Sequence, residues 1–400
     1  MEVPWIKEYK MNITRPAWLE INLDQLEENI KIIQKNISSQ SKILSIVKSD
    51  GYCLGAAKIV ESLIDLGVDY FGLATTSEAI QLRKKYPKVG LLVLGFTPNF
   101  LLKESIDQGI TLSVYTLDMA KEINNHAGEV GKKAKIHIAL DTGMNRIGFS
   151  TNQEKIQETY QKIEEINGLE NIEIEGLFTH FAVADTDDTF TQHQFDQYQM
   201  VYRELGKRGI SIPMRHVSNS HAILRHRAYD LDYVRPGILQ YGSREEDPYG
   251  ENFSVKLIAN LKALVAYVKE VPANEGVSYG LTYKTKARTK IATIPIGYAD
   301  GLPRNLSNQL EVLIQGKRCK QIGRICMDQC MVDVTGLDVK VNDEVVLLGR
   351  QGTEEISIEE LAKKAGEIPT SFLTHFGKRL PRVYLKNQKV EEIEDIILKC

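Results

Sequence analysis

Eight short β-branched runs, each followed by a stretch with helical spacing, occupy roughly the first 250 residues and leave few folds open. After an opening WLEINL they read ILSIVK, YFGLA, LLVLGF, LSVY, KIHIAL, GLFTHF, MRHVSN and YVRPGI. Segments between them, such as TSEAIQLRKKY and HQFDQYQMVYRELGKRG, put polar residues on one side and Leu, Ile, Tyr or Phe on the other. That is the pattern of helices covering a sheet. Strands alternating with helices make a parallel sheet, and eight units in a row favour a closed (β/α)8 barrel of TIM type over an open sheet. No G-x-G-x-x-G follows the first strand, which speaks against a dinucleotide fold. From about Val255 the texture changes to strands joined by Gly, Asn and Asp turns, as in LKALVAYVKEV, RTKIATIPIGYA and NDEVVLLG. The expected class is α/β, with a barrel over 15–252 and a mostly β domain over 253–400.

Composition narrows the function. A net charge of −3 with Lys and Arg interleaved among Glu and Asp gives no basic stripe for nucleic acid. No apolar run approaches the ~20 residues of a membrane span, and the start MEVPWIKEYK has no signal-peptide core. Five cysteines (Cys53, Cys319, Cys326, Cys330, Cys400) are too few to staple 400 residues. Cys326 and Cys330 have neither C-x-x-C spacing nor a nearby histidine, so no metal site is expected. A cytoplasmic enzyme with reduced cysteines is the expectation.

Barrel enzymes build their sites at the carboxyl ends of the strands. Lys48 ends the first of the eight runs, Arg146 follows the fifth in DTGMNRIG, and His180 ends the sixth. Asn219 and Ser220 end the seventh, and Arg235 lies on the eighth. Each has a plain alternative: a lysine snorkelling from a strand end, a helix cap for Asn219 or Ser220, a core histidine at His180. Six such residues at corresponding ends of five strands make a stronger case together. A lysine at a barrel mouth can form a Schiff base with an aldehyde cofactor. The loops after strands seven and eight, where barrels often hold phosphate, carry Asn219, Ser220, Gly237 and Ile238. The N–H groups of Gly237 and Ile238 and the Ser220 hydroxyl are the expected phosphate donors. Pyridoxal 5'-phosphate has both an aldehyde and a phosphate. Arg235 facing its pyridine nitrogen would leave that nitrogen unprotonated, because a guanidinium accepts no proton.

The motifs VKSDGY, DTGMNRIGF, EGLFTHFAVAD, SNSHA, VRPGILQYG, VSYGLTY, IPIGYADGLPR, GRICMDQCMVDV and LPRVY run in order from about Trp18 to Tyr384. In this the chain resembles the alanine racemase family, pyridoxal-phosphate enzymes of fold type III. The resemblance implies that Lys48 holds the cofactor and acts as the base on one face of the substrate, with Tyr279 on the other face from the partner subunit of a homodimer. Taken alone, Tyr279 reads as a half-buried strand tyrosine. A tyrosine titrating near ~10 is a poor base at neutral pH; the family answer is a chain from Tyr279 through His180 to Arg235. The resemblance further implies that Arg146 and the Met327 backbone hold the substrate carboxylate. Tyr52, Ser220, Gly237, Ile238 and Tyr384 would hold the phosphate. Asp185, Tyr298 and Arg304 match an entry corridor, and Asp328 an acidic residue beside the carboxylate. The implied activity is interconversion of L- and D-alanine, supplying D-alanine for peptidoglycan.

Two departures bear on the substrate. Ala139 stands where the family has a carbamylated lysine that holds the substrate-binding arginine, and Cys53-Leu54 replace a glycine-histidine pair. Arg146 must then be held by a bound anion, by another side chain, or by nothing. Serine or a larger basic amino acid is therefore the alternative substrate. The related decarboxylases fit less well, because they set an acidic residue where this chain has Arg235. A barrel-only pyridoxal-phosphate carrier lacks the second domain.

Overall fold

The computed structural model describes residues 13–245 and 252–398. The segment MEVPWIKEYK and Cys400 lie outside the described residues. β1 (Ala17–Asn22) is followed by β2 (Lys42–Ile46), β3 (Tyr70–Leu73), β4 (Gly90–Val93), β5 (Thr111–Val114) and β6 (Ala134–Asp141). A two-residue β7 (Phe149–Ser150) flanks β6, and β8 (Ile172–Phe178), β9 (Met214–His216) and β10 (Tyr233–Val234) complete the set. Parallel ladders join β10, β2, β3, β4, β5, β6, β8 and β9 in that order. Two backbone hydrogen bonds close the remaining gap, Asp232 N–H to Arg215 O at 3.2 Å and Arg235 N–H to Ser218 O at 3.0 Å. The eight runs form a barrel.

The helices between the strands start where their caps stand. Thr75 and Glu78 form a capping box on the helix Thr76–Lys85. The long helix Asp188–Lys207 begins five residues before the segment read from sequence, because the Asp187 carboxylate accepts from the Phe190 N–H.

The opening strand goes elsewhere. β1 lies within 15–252, yet it pairs antiparallel with β11 (Ala259–Leu264) and parallel with Arg382–Lys386. Its residues are buried on both faces: Leu19 and Ile21 join the main core, while Trp18 packs with Val383 on the other side. A strand covered on both faces shows no alternation by which the sequence could reveal its partner. β1 thus fastens the chain's start into the second sheet, which also contains Glu311–Ile314, Lys317–Lys320, Glu344–Gln351 and Lys389–Glu394. A further antiparallel group joins β12 (Tyr267–Val271), Thr289–Ile294 and Cys330–Asp333. One apolar cluster runs from Leu44 and Leu92 in the barrel to Val346 and Leu348 in the β domain. Among the described residues no helix is long and apolar enough to cross a membrane.

Candidate active site

A cavity of about 480 Å³ opens at the carboxyl ends of the barrel strands. Lys48, Tyr52, Arg146, His180, Asn219, Ser220, Arg235, Gly237 and Ile238 all line it. Residues from five strand ends therefore converge on one space.

Lys48 enters the cavity from an unusual turn. Ser49, Asp50, Gly51, Tyr52 and Cys53 all have φ between 54° and 65°, a left-handed helical turn directly after the lysine. Each non-glycine residue there costs roughly 1–2 kcal/mol, so other contacts must hold the turn. Glu78 accepts from the Ser49 N–H at 2.6 Å. Asp50 accepts from the Ala56 N–H at 2.9 Å and pairs with the buried Arg382 at 2.7 Å. The turn puts the Lys48 ammonium and the Tyr52 ring at the same cavity wall. Burial and the nearby Arg146 lower the Lys48 pKa, against a smaller opposing effect of Glu78.

Arg235, 3% exposed, is held on several sides. Its guanidinium donates to the carbonyls of His216 (2.6 Å), Thr179 (2.9 Å) and Val217 (2.9 Å). It also donates to His180 Nδ1 at 3.1 Å. Burial brings its pKa down to about 9, which leaves it protonated at neutral pH. A guanidinium only donates, so His180 Nδ1 must accept and its proton sits on Nε2. Burial, then Arg235, Arg146 and Lys48, hold His180 well below its ordinary pKa, and the ring is neutral.

The cradle expected for phosphate is present in altered form. The Gly237 N–H donates to Ser220 Oγ at 3.0 Å, and the Leu239 N–H reaches the same oxygen at 3.3 Å. The Gly237 N–H is therefore not a free anion donor as the sequence reading had it. Instead the Ser220 oxygen accepts twice, which leaves its own proton to donate into the cavity. A Cβ on residue 237 would sit 2.6 Å from Tyr52 Oη and 3.6 Å from Ser220 Oγ. Glycine thus keeps open a gap between two hydroxyls. The set of Lys48, Tyr52, Ser220 and Arg235 fits an aldehyde cofactor with a phosphate and an aromatic nitrogen. Asn219 lines the cavity while its side chain caps the helix Ser220–Arg225 through Ala222 N–H at 3.0 Å.

Ala139 also lines the cavity, and Arg146 forms no ion pair among the described residues. The loop that carries Arg146 is fixed instead by Asp141, whose Oδ1 accepts from the N–H groups of Gly143 (3.0 Å) and Asn145 (2.9 Å).

The remaining expected residues lie outside this cavity. Tyr279, Met327 and Tyr298 are 69%, 52% and 41% exposed on the β domain, with Leu281 at 58%. Backbone and side-chain hydrogen bonds (Ser278 Oγ to Arg324 O, Tyr298 N–H to Cys326 O, Ala299 N–H to Met327 O) join their segments into one face. Within one chain the expected relay contains only its His180–Arg235 half. Asp328 pairs with Arg379 at 2.7 Å, Arg304 is exposed, and the Asp185 carbonyl accepts from Arg225. Tyr384 is fully buried, packed on Gly55, with its hydroxyl on Glu394 at 3.2 Å; it does not line the cavity. Sequence reasoning passed over His137, His216 and Glu175, which lie buried behind Arg235. The signal was available: a histidine inside each of the apolar runs KIHIAL and MRHVSN.

Comparison with known proteins agrees with this geometry. Residues 21–245 match the family described as alanine racemase, N-terminal domain, and residues 258–384 match its C-terminal domain. Alanine racemase 2 of Caldanaerobacter subterraneus subsp. tengcongensis is 39% identical over 96% of this chain and 98% of its own. The alanine racemase of Methanococcus maripaludis is 42% identical over 93% of this chain and 100% of its own. Two solved structures superpose closely. The alanine racemase of Clostridium difficile 630 gives a TM-score of 0.91 at 39% identity, covering 96% of this chain and 99% of that one. That of Bacillus anthracis, with bound L-Ala-P, gives 0.90 at 32% identity, covering 97% and 100%. With both domain families matched in order and full-length relatives near 40% identity, the chain belongs to the alanine racemase family.

Proposed function

We propose that the protein interconverts L- and D-alanine with pyridoxal 5'-phosphate, in composite sites of a homodimer. What carries the reading is the convergence of Lys48, the His180–Arg235 pair and the Ser220–Tyr52 cradle in one cavity. When bound, the cofactor supplies an aldehyde for the substrate amine and an electron-withdrawing ring that acidifies the α C–H. Ser220 and Tyr52 donate to its phosphate. Arg235 offers donors only, so it keeps a facing ring nitrogen unprotonated. Arg146 binds the substrate carboxylate.

Lys48 Nζ takes or returns the α-proton on one face, and its lowered pKa makes the neutral amine available at lower pH than in an exposed lysine. On the opposite face the proton moves to Tyr279 Oη of a second copy. His180, neutral with its proton on Nε2, donates to that oxygen and stabilises the phenolate. Exposure of Tyr279, Met327 and Leu281 on one chain is what a second copy would cover. Asp328 and Tyr298 then border the substrate, with Tyr298, Asp185 and Arg304 along the entrance. A role in supplying D-alanine to peptidoglycan, in the cytoplasm, belongs to the same reading.

Serine or a larger amino acid is the second reading, favoured by the small Ala139 at the cavity wall. Decarboxylation is disfavoured because Arg235 gives the ring nitrogen no carboxylate. Solvent deuterium exchange tests the two-base assignment. Tyr279→Phe should cut exchange into one alanine enantiomer by ~10²–10⁴-fold while exchange into the other, through Lys48, survives. Equal losses for both enantiomers would overturn it.

A further inference from the structure

Among the described residues Arg235 has no carboxylate in direct contact, although it is buried and charged. Its Nη1 instead donates to His216 Nδ1 at 3.0 Å. His216 Nε2 lies 2.8 Å from His137 Nδ1, and His137 Nε2 lies 3.2 Å from Glu175 Oε2. The tautomers follow from the ends of this line. Arg235 can only donate, so His216 Nδ1 accepts and the proton is on Nε2. That proton goes to His137 Nδ1, so His137 carries its own on Nε2 and donates it to a carboxylate that can only accept. Every proton in the line points the same way, from guanidinium to carboxylate. Both histidines are completely buried, and Glu175 is 8% exposed.

The line is built into the barrel rather than filling leftover space. Its far end is at the opposite face, where strands begin: Glu175 Oε2 also accepts from Tyr70 (2.6 Å) and Thr111 (3.2 Å), the first residues of β3 and β5. The other carboxylate oxygen meets Lys135 at 2.6 Å. Gly176 makes room for the His137 ring, since a Cβ there would lie 2.6 Å from it. Phe178 stacks on His216 at 5.1 Å, with ring planes 7° apart. Burial raises the Glu175 pKa, but hydrogen bonds from His137, Lys135 and Tyr70 outweigh it and keep the group ionised. Burial keeps His137 and His216 neutral.

We propose that Glu175 is a positioning residue for Arg235, acting through His137 and His216 from the far end of the barrel. It anchors the line of donors, which fixes the His216 lone pair on Arg235 Nη1 and so fixes the plane of the guanidinium. The proposal rests on the reading that Arg235 faces the cofactor ring.

The test uses the full-length chain labelled with ¹⁵N-histidine and long-range ¹H–¹⁵N correlation, with and without cofactor. His137 and His216 should both be neutral with the proton on Nε2. Glu175→Leu should move the His216 Nε2–H resonance, although residue 175 does not touch His216. Glu175→Gln, which retains an accepting oxygen, should move it less. Lys135→Ala removes only the half-exposed partner and should leave it in place. In the holoenzyme, Glu175→Leu should lower kcat about 10–100-fold, the scale on which hydrogen-bonding partners of metal-binding histidines act. KM for alanine should stay within a few-fold, and Glu175→Gln should recover most of the loss.

A proton on Nδ1 of either histidine, or a doubly protonated ring at neutral pH, overturns the proposal. So does an unmoved His216 resonance in Glu175→Leu. Wild-type tautomers and Glu175→Gln decide the matter if Glu175→Leu does not fold. Arg235→Lys separates the two readings: if it lowers kcat while Glu175→Leu does not, the positioning role alone fails. If neither lowers kcat, the reading of Arg235 fails with it.

Discussion

Gly237→Ala closes a gap measured in tenths of an ångström. The new methyl would sit 2.6 Å from Tyr52 Oη, while Ser220 Oγ at 3.6 Å is an ordinary contact. Restoring about 3.4 Å requires the tyrosine hydroxyl to move by roughly 0.8 Å, enough to spoil a positioned donor. The Tyr52 ring is buried against Tyr241, centroids 4.7 Å apart, so it has little room to withdraw. Gly237 has a φ of −98°, outside the left-handed region, so the cost of the methyl is its contact with Tyr52. Losing one hydrogen bond to a charged phosphate costs about 1.5–3 kcal/mol, or roughly 10–150-fold in affinity. Titrating apo-protein with pyridoxal 5'-phosphate should therefore show a Kd raised by that factor. Pyridoxal, which lacks the phosphate, should bind wild type and variant alike. An unchanged Kd, or equal weakening for both compounds, would refute the cradle.

Lys48→Met should raise the melting temperature of the apo-protein. The lysine's pKa is lowered in the fold by burial and Arg146, so folding is penalised at every pH below the ordinary lysine range. The gain should shrink as pH rises through the lowered folded pKa and be gone above about 10.4, where the unfolded chain's lysine is neutral too; an unchanged melting temperature at pH 7 would contradict this. Asp50→Ala removes the cap on Ala56 and leaves the buried Arg382, among the described residues, only the ion pair with Glu394 at 3.7 Å. Urea unfolding should show a loss of about 1–3 kcal/mol; a change below about 0.5 kcal/mol would mean that the left-handed turn is held by other contacts.

The barrel was legible because its eight runs are short, apolar and regularly spaced, and the ends of those runs carried the polar residues that meet in the cavity. Lys48, His180 and Arg235 could be placed from position alone. β1 could not, since WLEINL stands beside the barrel in sequence and pairs with strands more than two hundred residues away. The phosphate cradle was read only in outline: Gly237 also contributes space, and its N–H donates to Ser220. Whether a backbone donor is free depends on tertiary contacts that no local pattern records. The histidine line was missed for a related reason. His137 and His216 are far apart in sequence and become partners only when β6 and β9 curve around the same barrel axis. Tyr279 and Met327 are a different case, because their motifs are recognisable while the proposed site takes them from a second chain.

That dependence is the central claim, and mixing inactive subunits tests it most directly. Lys48→Ala and Tyr279→Phe proteins are subjected together to dissociating conditions and reassembled, and heterodimer formation is verified with distinct tags. If Lys48 of one copy works with Tyr279 of the other, each heterodimer regains one intact site. Equal mixing should then restore about a quarter of wild-type activity. No recovery despite proven heterodimers would mean that each chain builds its site alone, and the composite site would be wrong.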